Sequence, residues 1–424
     1  MKKILKLIIV AILAIFAKAV LRRYKPKVVM VTGSVGKTST KDAVAAVLAT
    51  RFNMRKSEKS FNTEFGVPFT ILGVGNPWRN PLAWLSVVKN AVALLILPNH
   101  YPNMLVLEVG AERPGDLASI LRLTAPDAVV VTRLPEIPVH VEAYASPEAV
   151  REEEFSPAYA LSAGAPLIIS ADDSYALDGA VRTPARVISY GTRDGATVRL
   201  DEVSFYENNG KVAGMHAKVK MNGEEGSLTV RGSVGATQLL PAAAALALAS
   251  AFNIPLAEAL ASLDAYEPPP GRGRLLAGKN NSVIIDDSYN ASPAAVEEAL
   301  ATLKSFPRAQ RRIAVLGDML ELGRYSVMEH QRIAEFAGKS ANVIVTVGIR
   351  ARVFAVALEG TEIMRFDNAH AAAAALPALV RDGDVILVKG SQSVRTERIV
   401  EALLANPADS IKLVRQEPEW KRRA

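Results

Sequence analysis

The sequence of 424 residues contains no cysteine. Disulfide bonds, thiolate metal sites and cysteine nucleophiles are therefore excluded, and the composition suits a reducing compartment. The chain also has no internal repeat, no nucleic-acid-binding motif and no basic patch interleaved with aromatic residues, so we expect no nucleic-acid partner. Much of the net charge of +7 comes from basic residues at the two ends, which favours an anionic membrane surface or anionic ligands.

Long apolar runs are missing as well. The N-terminal stretch Ile4–Leu21 is apolar apart from Lys6 and Lys18, and its longest uninterrupted part covers 11 residues. A membrane-spanning helix needs about 20 residues, although lysines near its ends can extend to the lipid headgroups. No cleavage site of a signal peptide stands clear of the basic residues 18–27. We therefore expect residues 1–23 to be a retained membrane anchor, spanning or interfacial, with a helix that contacts no membrane as the alternative.

Basic residues flank this stretch, three before the apolar run and five closely after it. By the positive-inside rule, a spanning anchor would leave the following domain in the cytoplasm, where ATP is. The expected location is thus the cytoplasmic face of a membrane, or the cytoplasm if the segment is no anchor.

The first chemical signal lies between a predicted strand and a predicted helix. Val28–Val31 is apolar and mostly β-branched, which is typical of a buried strand, and Ser39–Leu48 has apolar residues on one helical face. The glycine-rich turn between them directs several backbone N–H groups toward one point, where the helix dipole also favours an anion. The pattern predicts a phosphate-binding loop. Its residues are Gly33, Ser34, Val35, Gly36, Lys37, Thr38 and Ser39.

The side chains of this loop suit a nucleotide. Lys37 supplies a positive charge for the outer phosphates, and the Thr38 hydroxyl can ligate Mg²⁺. The general pattern GxxxxGK[ST] is not met in full, because Val31 stands where that pattern has its first glycine. An ordinary strand–turn–helix junction is the alternative, but the placement of both glycines, the lysine and the threonine favours phosphate binding.

From Tyr24 onward, predicted strands and helices alternate, which indicates a doubly wound α/β domain. Asp201–Val230 instead alternates with period two around two Asn-Gly pairs, so we expect an antiparallel β insertion. The stiff, proline-rich segment Tyr266–Gly271 is the best domain boundary. We predict a central P-loop ATPase domain at 24–266 and a Rossmann-like C-terminal domain at 267–424. The predicted strands are Val28–Val31, Met104–Val109, Ala128–Val131, Pro166–Ile169, Ser282–Asp286, Ile313–Leu316, Val343–Val347 and Val385–Val388, and an alanine-rich helix is predicted at Leu239–Phe252.

Candidate metal ligands follow two of these strands. Glu108 ends an apolar strand next to the loop strand, where a carboxylate is well placed for Mg²⁺; taken alone, a solvent-facing glutamate would be the simpler interpretation. His140 could be a second ligand, although a single histidine is as often structural. Glu152–Glu154 form an acidic run that by itself indicates a solvated helix start.

A second polar group opens the C-terminal domain. Asp286 and Asp287, with Asn290 nearby, follow a predicted strand, where such groups could hold ribose and adenine. An Asx-rich turn is the alternative, and it explains the paired aspartates less easily. Arg272 and Arg274 follow the linker and could reach a phosphate across an interdomain cleft, or belong to a flexible basic loop.

Taken in order, eight segments of the chain resemble the Mur ligase family, and most of all its branch that adds D-alanyl-D-alanine to the UDP-muramoyl tripeptide. They extend from about residue 25 to about residue 400. The segments are TGSVGKTSTK, SFNTEFGVPFTIL, LVLEVGAERPGD, VHVEAYASPEAV, EPPPGRGR, VIIDDSYNASP, LGDMLELG and GDVILVKGS.

The resemblance implies an ATP-dependent ligase of peptidoglycan precursor synthesis. ATP would phosphorylate a substrate carboxylate, and an incoming amine would attack the acyl phosphate to form an amide, with release of ADP and phosphate. The implied cofactors are ATP and Mg²⁺. The implied partners are a UDP-muramoyl peptide or a related acceptor, and D-alanyl-D-alanine or another amine.

The same resemblance implies roles for individual residues. The expected catalytic residues are Lys37, His140, Glu154 and Arg272. The expected nucleotide contacts besides the loop are Asp287, Asn290 and His330. The expected metal ligands are Thr38, Glu108, His140 and Glu154. The expected substrate contacts are Asn62, Thr63, Arg274, Lys389 and Ser391.

Three departures from the family pattern matter. Glu154 stands 14 residues after His140, where the family usually has a carbamylated lysine, and its carboxylate could supply the same oxygen ligands over a shorter reach. The segment from Thr237 to Pro241 lacks the family's Gly-x-His-Asn pattern, so some nucleotide contacts are expected to differ. The hydrophobic N-terminal segment stands where the family has its UDP-binding domain, which leaves the acceptor open, either the same nucleotide precursor or a membrane-linked one.

Two other functions stay open. One is a Mur-type ligase that acts on another acid and amine. The other is a membrane-anchored nucleotide-binding scaffold that does not ligate. The presence of Lys37, Thr38, Glu108 and His140 speaks against the scaffold, which has no chemical need for that set.

Overall fold

A computed structural model describes residues 2–58, 61–77, 80–355 and 361–422 of the chain. In these residues, fifteen strands form one sheet of nine strands and one of six. The strands are β1 (Lys27–Thr32), β2 (Met54–Lys56), β3 (Met104–Glu108), β4 (Ala128–Val131), β5 (Pro166–Ser170), β6 (Arg186–Gly191), β7 (Val198–Asn208), β8 (Lys211–Met221), β9 (Glu224–Arg231), β10 (Arg274–Ala277), β11 (Val283–Asp287), β12 (Arg311–Gly317), β13 (Val343–Val347), β14 (Glu362–Phe366) and β15 (Asp384–Lys389). The α-helices are α1 (Lys2–Tyr24), α2 (Lys37–Leu48), α3 (Gly66–Leu72), α4 (Pro81–Ile96), α5 (Asp116–Leu123), α6 (Pro147–Tyr159), α7 (Ser174–Ala180), α8 (Leu240–Ala251), α9 (Leu256–Leu263), α10 (Pro293–Ser305), α11 (Ser326–Gly338), α12 (Ala369–Ala375), α13 (Glu397–Leu403) and α14 (Pro418–Lys421).

The nine-stranded sheet has the order β2-β3-β1-β4-β5-β6-β7-β8-β9, and it is parallel from β2 to β7. β3 and β4 are buried along their whole length, because helices cover both faces, which is why they are continuous apolar runs in the sequence. β1 pairs with β3 on one side and β4 on the other. The loop after β1 therefore emerges between the carboxyl ends of its two neighbours.

The predicted β insertion is confirmed as two hairpins, β7–β8 and β8–β9. They turn at Asn209-Gly210 and Asn222-Gly223, where all four residues have positive φ, as tight hairpin turns require. The insertion is not a separate sheet. β7 pairs with β6 and so extends the central sheet.

The six-stranded sheet has the order β10-β11-β15-β12-β13-β14 and belongs to the C-terminal part of the chain. β10 runs antiparallel to β11, and the other neighbours are parallel. The four strands predicted here are present, and β10 and β14 are additional edge strands. The exact domain boundary near Tyr266–Gly271 stays a prediction.

The alanine-rich helix α8 packs against α2, the helix that follows the predicted phosphate loop. Its small side chains are almost all buried and let the two helices approach closely. Tyr266, the first residue of the proline-rich linker, is also buried there, and its hydroxyl donates to Ser39 O at 3.1 Å. The start of the linker is therefore attached to the first turns of α2.

α1 lies on the outer side of the central domain, where Leu13, Ala17 and Val20 are buried in the core that α3 and α4 share. Its C-terminal end is tied to α4, since Tyr24 Oη donates to Leu94 O at 2.7 Å. Among the described residues, no helix is both long enough and apolar enough to cross a bilayer. The spanning form of the expected anchor is therefore not supported.

Candidate active site

The predicted phosphate loop joins β1 to α2 and depends on its two glycines. Gly33 and Gly36 have φ of +114° and +91°, a region that favours glycine. A side chain at Gly33 would also meet Thr132 Oγ1 at 2.4 Å, so the loop lies directly against the end of β4. Ser34 N holds it there by donating to Arg133 O at 3.0 Å. From this position, the loop and the first turn of α2 line an open cleft.

Glu108 ends β3 beside this loop and is 1% exposed. Thr38 Oγ1 donates to Glu108 Oε1 at 3.1 Å, and Lys41 Nζ lies 3.6 Å from Oε2. Burial raises the pKa of Glu108, while the charges of Lys41 and Lys37 lower it. Oε2 accepts no hydrogen bond from any described residue. A hydroxyl and a carboxylate with an unused lone pair suit a hard cation, so Thr38 and Glu108 fit a Mg²⁺ ion.

The three glutamates of the acidic run on α6 make different contacts. Glu152 forms an exposed ion pair with Arg182 at 2.9 Å, as a solvated helix would. Glu153 Oε1 accepts two backbone N–H groups at the start of α5. Glu154 is buried, and its Oε2 accepts a hydrogen bond from Ser34 Oγ at 2.5 Å. Only Glu154 is therefore joined to the phosphate loop.

His140 lines the cleft, and its Nδ1 is 2.8 Å from Glu321 Oε2 of the C-terminal domain. Burial raises the pKa of Glu154, while the charges of Lys37 and His140 lower it. In the part of the chain that the structure describes, no three histidine, aspartate or glutamate side chains converge as a metal site. A second metal on His140 and Glu154 therefore stays a prediction.

Lys389, which is buried, and Asp287, which is partly buried, form an ion pair at the carboxyl ends of β15 and β11. Lys389 Nζ donates to Asp287 Oδ2 at 2.6 Å and to Asn290 O at 3.0 Å. Burial lowers the pKa of Lys389, and the charge of Asp287 raises it. Gly273 N donates to the other oxygen of Asp287 at 3.2 Å. Asp287 thus orders this loop, while Asn290 and Ser391 line the cleft itself.

His330 does not line the cleft. It is buried at the start of α11, where its Nε2 accepts from Met319 N at 3.1 Å and its Nδ1 lies 2.6 Å from Ser326 O. Burial lowers its pKa, so the neutral ring is favoured. In this structure the ring fixes the turn that leads into α11, and a contact of His330 with the nucleotide stays a prediction.

The two arginines after the linker differ. Arg272 lines the cleft, and its guanidinium lies 4.0 Å from the centre of the Tyr289 ring. Arg274 is on β10 and pairs with Glu267 at 3.2 Å. Of the two, Arg272 alone lines the cleft, so it is the candidate for a phosphate across it.

The cleft has a volume of about 760 Å³ and is lined by both domains. Of the predicted site residues, it brings together Ser34, Val35, Gly36, Lys37, Thr38, Asn62, Thr63, Glu108, His140, Arg272, Asn290 and Ser391. A smaller cavity of about 70 Å³ lies against Gly36, and its walls include Thr237, Gln238, Asp287 and Lys389. Thr237 and Gln238 are residues at which the sequence departs from the family pattern.

Several cleft residues were not predicted. Glu112 and Arg113 stand in the segment LVLEVGAERPGD, and Glu321 stands in LGDMLELG, so the resemblance carried a signal for all three. Trp420 also lines the cleft, from α14 near the end of the chain, and no local pattern pointed to it.

Comparison with known proteins agrees with this architecture. Residues 31–249 match the Mur ligase middle domain, and residues 271–392 match the Mur ligase glutamate ligase domain. The UDP-N-acetylmuramoyl-tripeptide–D-alanyl-D-alanine ligase of Bacillus subtilis (strain 168) is 29% identical over 396 residues, covering 92% of this chain and 79% of the relative. The ligase of the same name from Escherichia coli (strain K12) is 28% identical, with 90% and 77% covered.

Solved structures give the same result. The crystal structure of MurF ligase from Thermotoga maritima in complex with ADP superposes with a TM-score of 0.76 at 26% sequence identity. The match covers 93% of this chain and 83% of that structure.

Proposed function

Because this chain belongs to the Mur ligase family, we propose that it joins D-alanyl-D-alanine to a UDP-muramoyl tripeptide in peptidoglycan precursor synthesis. It is an ATP-dependent ligase that forms a C–N bond, and its cofactors are ATP and Mg²⁺. The observation that carries the proposal is the cleft, which places the phosphate loop of the central domain opposite Ser391 of the C-terminal domain.

The first proposed step transfers the γ-phosphoryl group of ATP to the acceptor carboxylate. A carboxylate oxygen attacks the γ-phosphorus, the bond to the bridging oxygen breaks, and ADP leaves. Lys37 and the backbone N–H groups of Gly33–Ser39 hold the phosphates, and Arg272 adds a cation from across the cleft. Thr38 and Glu108 would hold Mg²⁺, which offsets phosphate charge when bound.

The second proposed step forms the amide. The amine nitrogen attacks the acyl carbon, the bond from that carbon to the phosphate oxygen breaks, and the nitrogen loses a proton. Ser391 lines the cleft where the amine would enter, and Lys389 positions Asn290 through its main-chain oxygen. Water would destroy the acyl phosphate, so a closed cleft favours ligation.

Contacts between the domains support such closure. His140 and Glu321 meet at 2.8 Å, and Arg133 forms an ion pair with Glu298 of α10. These contacts span the cleft edge, so they would hold the domains together while the intermediate exists.

The acceptor side is assigned to Asn62 and Thr63, which line the cleft beside the phosphate loop. His140 and Glu154 are proposed for a second Mg²⁺, with Glu154 in the place of the family's carbamylated lysine. Support comes from the Glu154 carboxylate, which already contacts Ser34 of the loop. We place the reaction in the cytoplasm, including the cytoplasmic face of the membrane, because it consumes ATP.

The test is phosphate release by the purified chain with ATP and Mg²⁺, with UDP-muramoyl tripeptide and D-alanyl-D-alanine each omitted in turn. Release should need both substrates, and mass spectrometry should show the amide. Lys37→Met should lower kcat by roughly a hundredfold or more, because the cation at the phosphates is lost. Lys304→Met, on the exposed face of α10, is the matched control and should keep full activity.

Three outcomes are informative. Phosphate release that does not depend on either substrate would contradict ligase activity. No release with this pair, but release with another acid and amine, would keep the reaction class and change the substrates. Release that survives Lys37→Met would remove the phosphate loop from the mechanism.

A further inference from the structure

An apolar surface covers the outer side of the central domain, on the two helices α1 and α4. Among the described residues, eighteen large hydrophobic side chains are exposed, and nine of them lie on these helices or on Leu97, directly after α4. The most exposed are Leu82, Ile96, Ile15, Leu85, Leu97 and Ile8. We refer to these nine side chains as the α1–α4 face.

The helical spacing separates this face from the core. On α1, Ile8, Ile12 and Ile15 point outward, whereas Leu13 and Ala17 are buried. α4 has the same division, because Val87, Ala91 and Leu94 are its buried positions. Both helices already have a core-facing side, so the α1–α4 face is a second apolar side, which stays exposed among the described residues.

The two helices pack together and are joined by hydrogen bonds at the C-terminal end of each. Tyr24 Oη donates to Leu94 O at 2.7 Å, and Arg23 donates to Leu95 O and Leu97 O at the end of α4. At the other end of α1, Lys6 pairs with Glu64 at 2.8 Å. The apolar side chains are therefore presented together on one surface.

The two helices of the face carry charge of one sign. No aspartate or glutamate occurs from residue 1 to 41 or from residue 65 to 107, the two segments that contain α1 and α4. Lys18, Arg22 and Lys25 are exposed toward the C-terminal end of α1, and Lys89 is exposed on α4. An apolar surface on two helices that carry basic but no acidic side chains is complementary to a lipid layer with anionic headgroups.

We propose that the α1–α4 face binds the surface of an anionic lipid bilayer, with the two helices lying in the headgroup region. The isoleucines and leucines enter the acyl boundary, and the lysines and arginines contact lipid phosphates. A second copy of this chain is a poorer occupant, because a symmetric pairing would bring two cationic edges together. The proposal does not depend on the identity of the ligase substrates.

The test is co-sedimentation of the full chain with vesicles of equal parts phosphatidylglycerol and phosphatidylcholine, and with vesicles of phosphatidylcholine alone. Binding should favour the anionic vesicles and weaken at high salt. The double variant Ile15→Glu with Leu85→Glu should bind the anionic vesicles at least about tenfold more weakly than the parent, because carboxylates would enter the lipid layer. Ile411→Glu, at a site that is 82% exposed outside the face, is the matched control and should bind like the parent.

Equal binding by the double variant and the parent would overturn the proposal, and so would no preference for anionic vesicles. A dimer in sedimentation velocity that the double variant dissociates, without vesicle binding by the parent, would assign the face to a second copy instead. Circular dichroism and phosphate release in the absence of vesicles establish that the double variant is folded. Loss of ligation with vesicle binding intact would contradict the proposed function alone.

Discussion

The carboxyl edges of the two sheets each present a carboxylate beside a buried lysine, and the two pairs are built differently. At the end of β3, Glu108 Oε2 lies 3.6 Å from Lys41 Nζ and accepts no hydrogen bond from the described residues. At the end of β11, Asp287 accepts hydrogen bonds on both oxygens, from Lys389 at 2.6 Å and from Gly273 N at 3.2 Å. The first carboxylate has one oxygen without a hydrogen bond and can take a cation, whereas both oxygens of the second already accept hydrogen bonds and hold a loop.

The difference shows why burial alone does not identify a catalytic group. Both sites penalise a charge, since burial raises the pKa of Glu108 and lowers the pKa of Lys389. At both groups the opposite charge of the neighbouring side chain offsets only part of that cost. The two sites differ in hydrogen bonding, because Oε2 of Glu108 accepts no hydrogen bond from the described residues and is available to a ligand, which is the property expected of a binding site.

The largest effect is expected at Glu108. Glu108→Gln keeps the side-chain volume but removes the charge that Mg²⁺ would need, so kcat should fall by roughly a hundred- to thousandfold. Burial raises the pKa of Glu108, so its charged form is costly, and the variant should unfold at the same or a higher temperature. Steady-state phosphate release and thermal unfolding measure the two effects. An activity within about tenfold of the parent would contradict the role of Glu108 as a Mg²⁺ ligand, which distinguishes it from Asp287.

The next effect is expected at Lys389, on stability. Lys389→Met leaves Asp287 without its partner in a site where the lysine is 2% exposed, and the free energy of unfolding should fall by about 3 kcal/mol. Combining it with Asp287→Leu should recover more than half of that loss, because an apolar pair replaces both charges. Denaturant unfolding measures all three chains. A double variant as unstable as Lys389→Met would show that the pair is not the cause.

A smaller, pH-dependent effect is expected at Asp286, next to this pair. Burial raises the pKa of Asp286 from 3.8 to about 6, so the fold favours the protonated acid. Its stabilising contribution is present below an unfolded pKa of about 4 and is lost as the pH rises through about 6; the total is ~2–3 kcal/mol. Asp286→Asn should remove this slope. Urea unfolding at a series of pH values measures it, and a slope that persists in the variant would assign it to another group.

The smallest effect is expected at Arg274. Its partner Glu267 is 74% exposed, so Arg274→Ala should lower the free energy of unfolding by only about 0.5 kcal/mol and change kcat/KM by less than about twofold. Arg272→Ala, the matched change inside the cleft, should raise the KM for ATP by about tenfold. Kinetics at varied ATP separate the two. A larger rise in the KM for ATP with Arg274→Ala than with Arg272→Ala would indicate that Arg274, and not Arg272, contacts the phosphates.

Much of this fold is encoded in local pattern. β1, β3, β4 and β5 are predicted because strands buried on both faces are unbroken apolar runs. β2 and β14 have no such signal, since one has three residues and the other is a half-exposed edge strand. α4 does carry a start signal, because the Asn80 side chain accepts from Leu82 N and Ala83 N at its first turn.

The site divides in the same way. The phosphate loop and Glu108 follow from glycines, a lysine and a carboxylate placed at strand ends, which are local features. The contacts Ser34–Glu154 and Asp287–Lys389 join positions 120 and 102 residues apart, and no local pattern specifies them. His330 stands in a segment typical of the family, but its ring is used within the C-terminal domain, which only the packing of α11 reveals.

The bond between Tyr266 and Ser39 attaches the start of the linker next to the phosphate loop. Tyr266 Oη lies 3.1 Å from Ser39 O, and Arg272 follows within a few residues, so a rotation of the C-terminal domain about this linker would have its axis close to that loop. In a rotation, each atom travels in proportion to its distance from the axis. Arg272 would then keep its place through an opening swing while the far rim travels furthest, and the enzyme could exchange its amine without releasing its grip on the nucleotide.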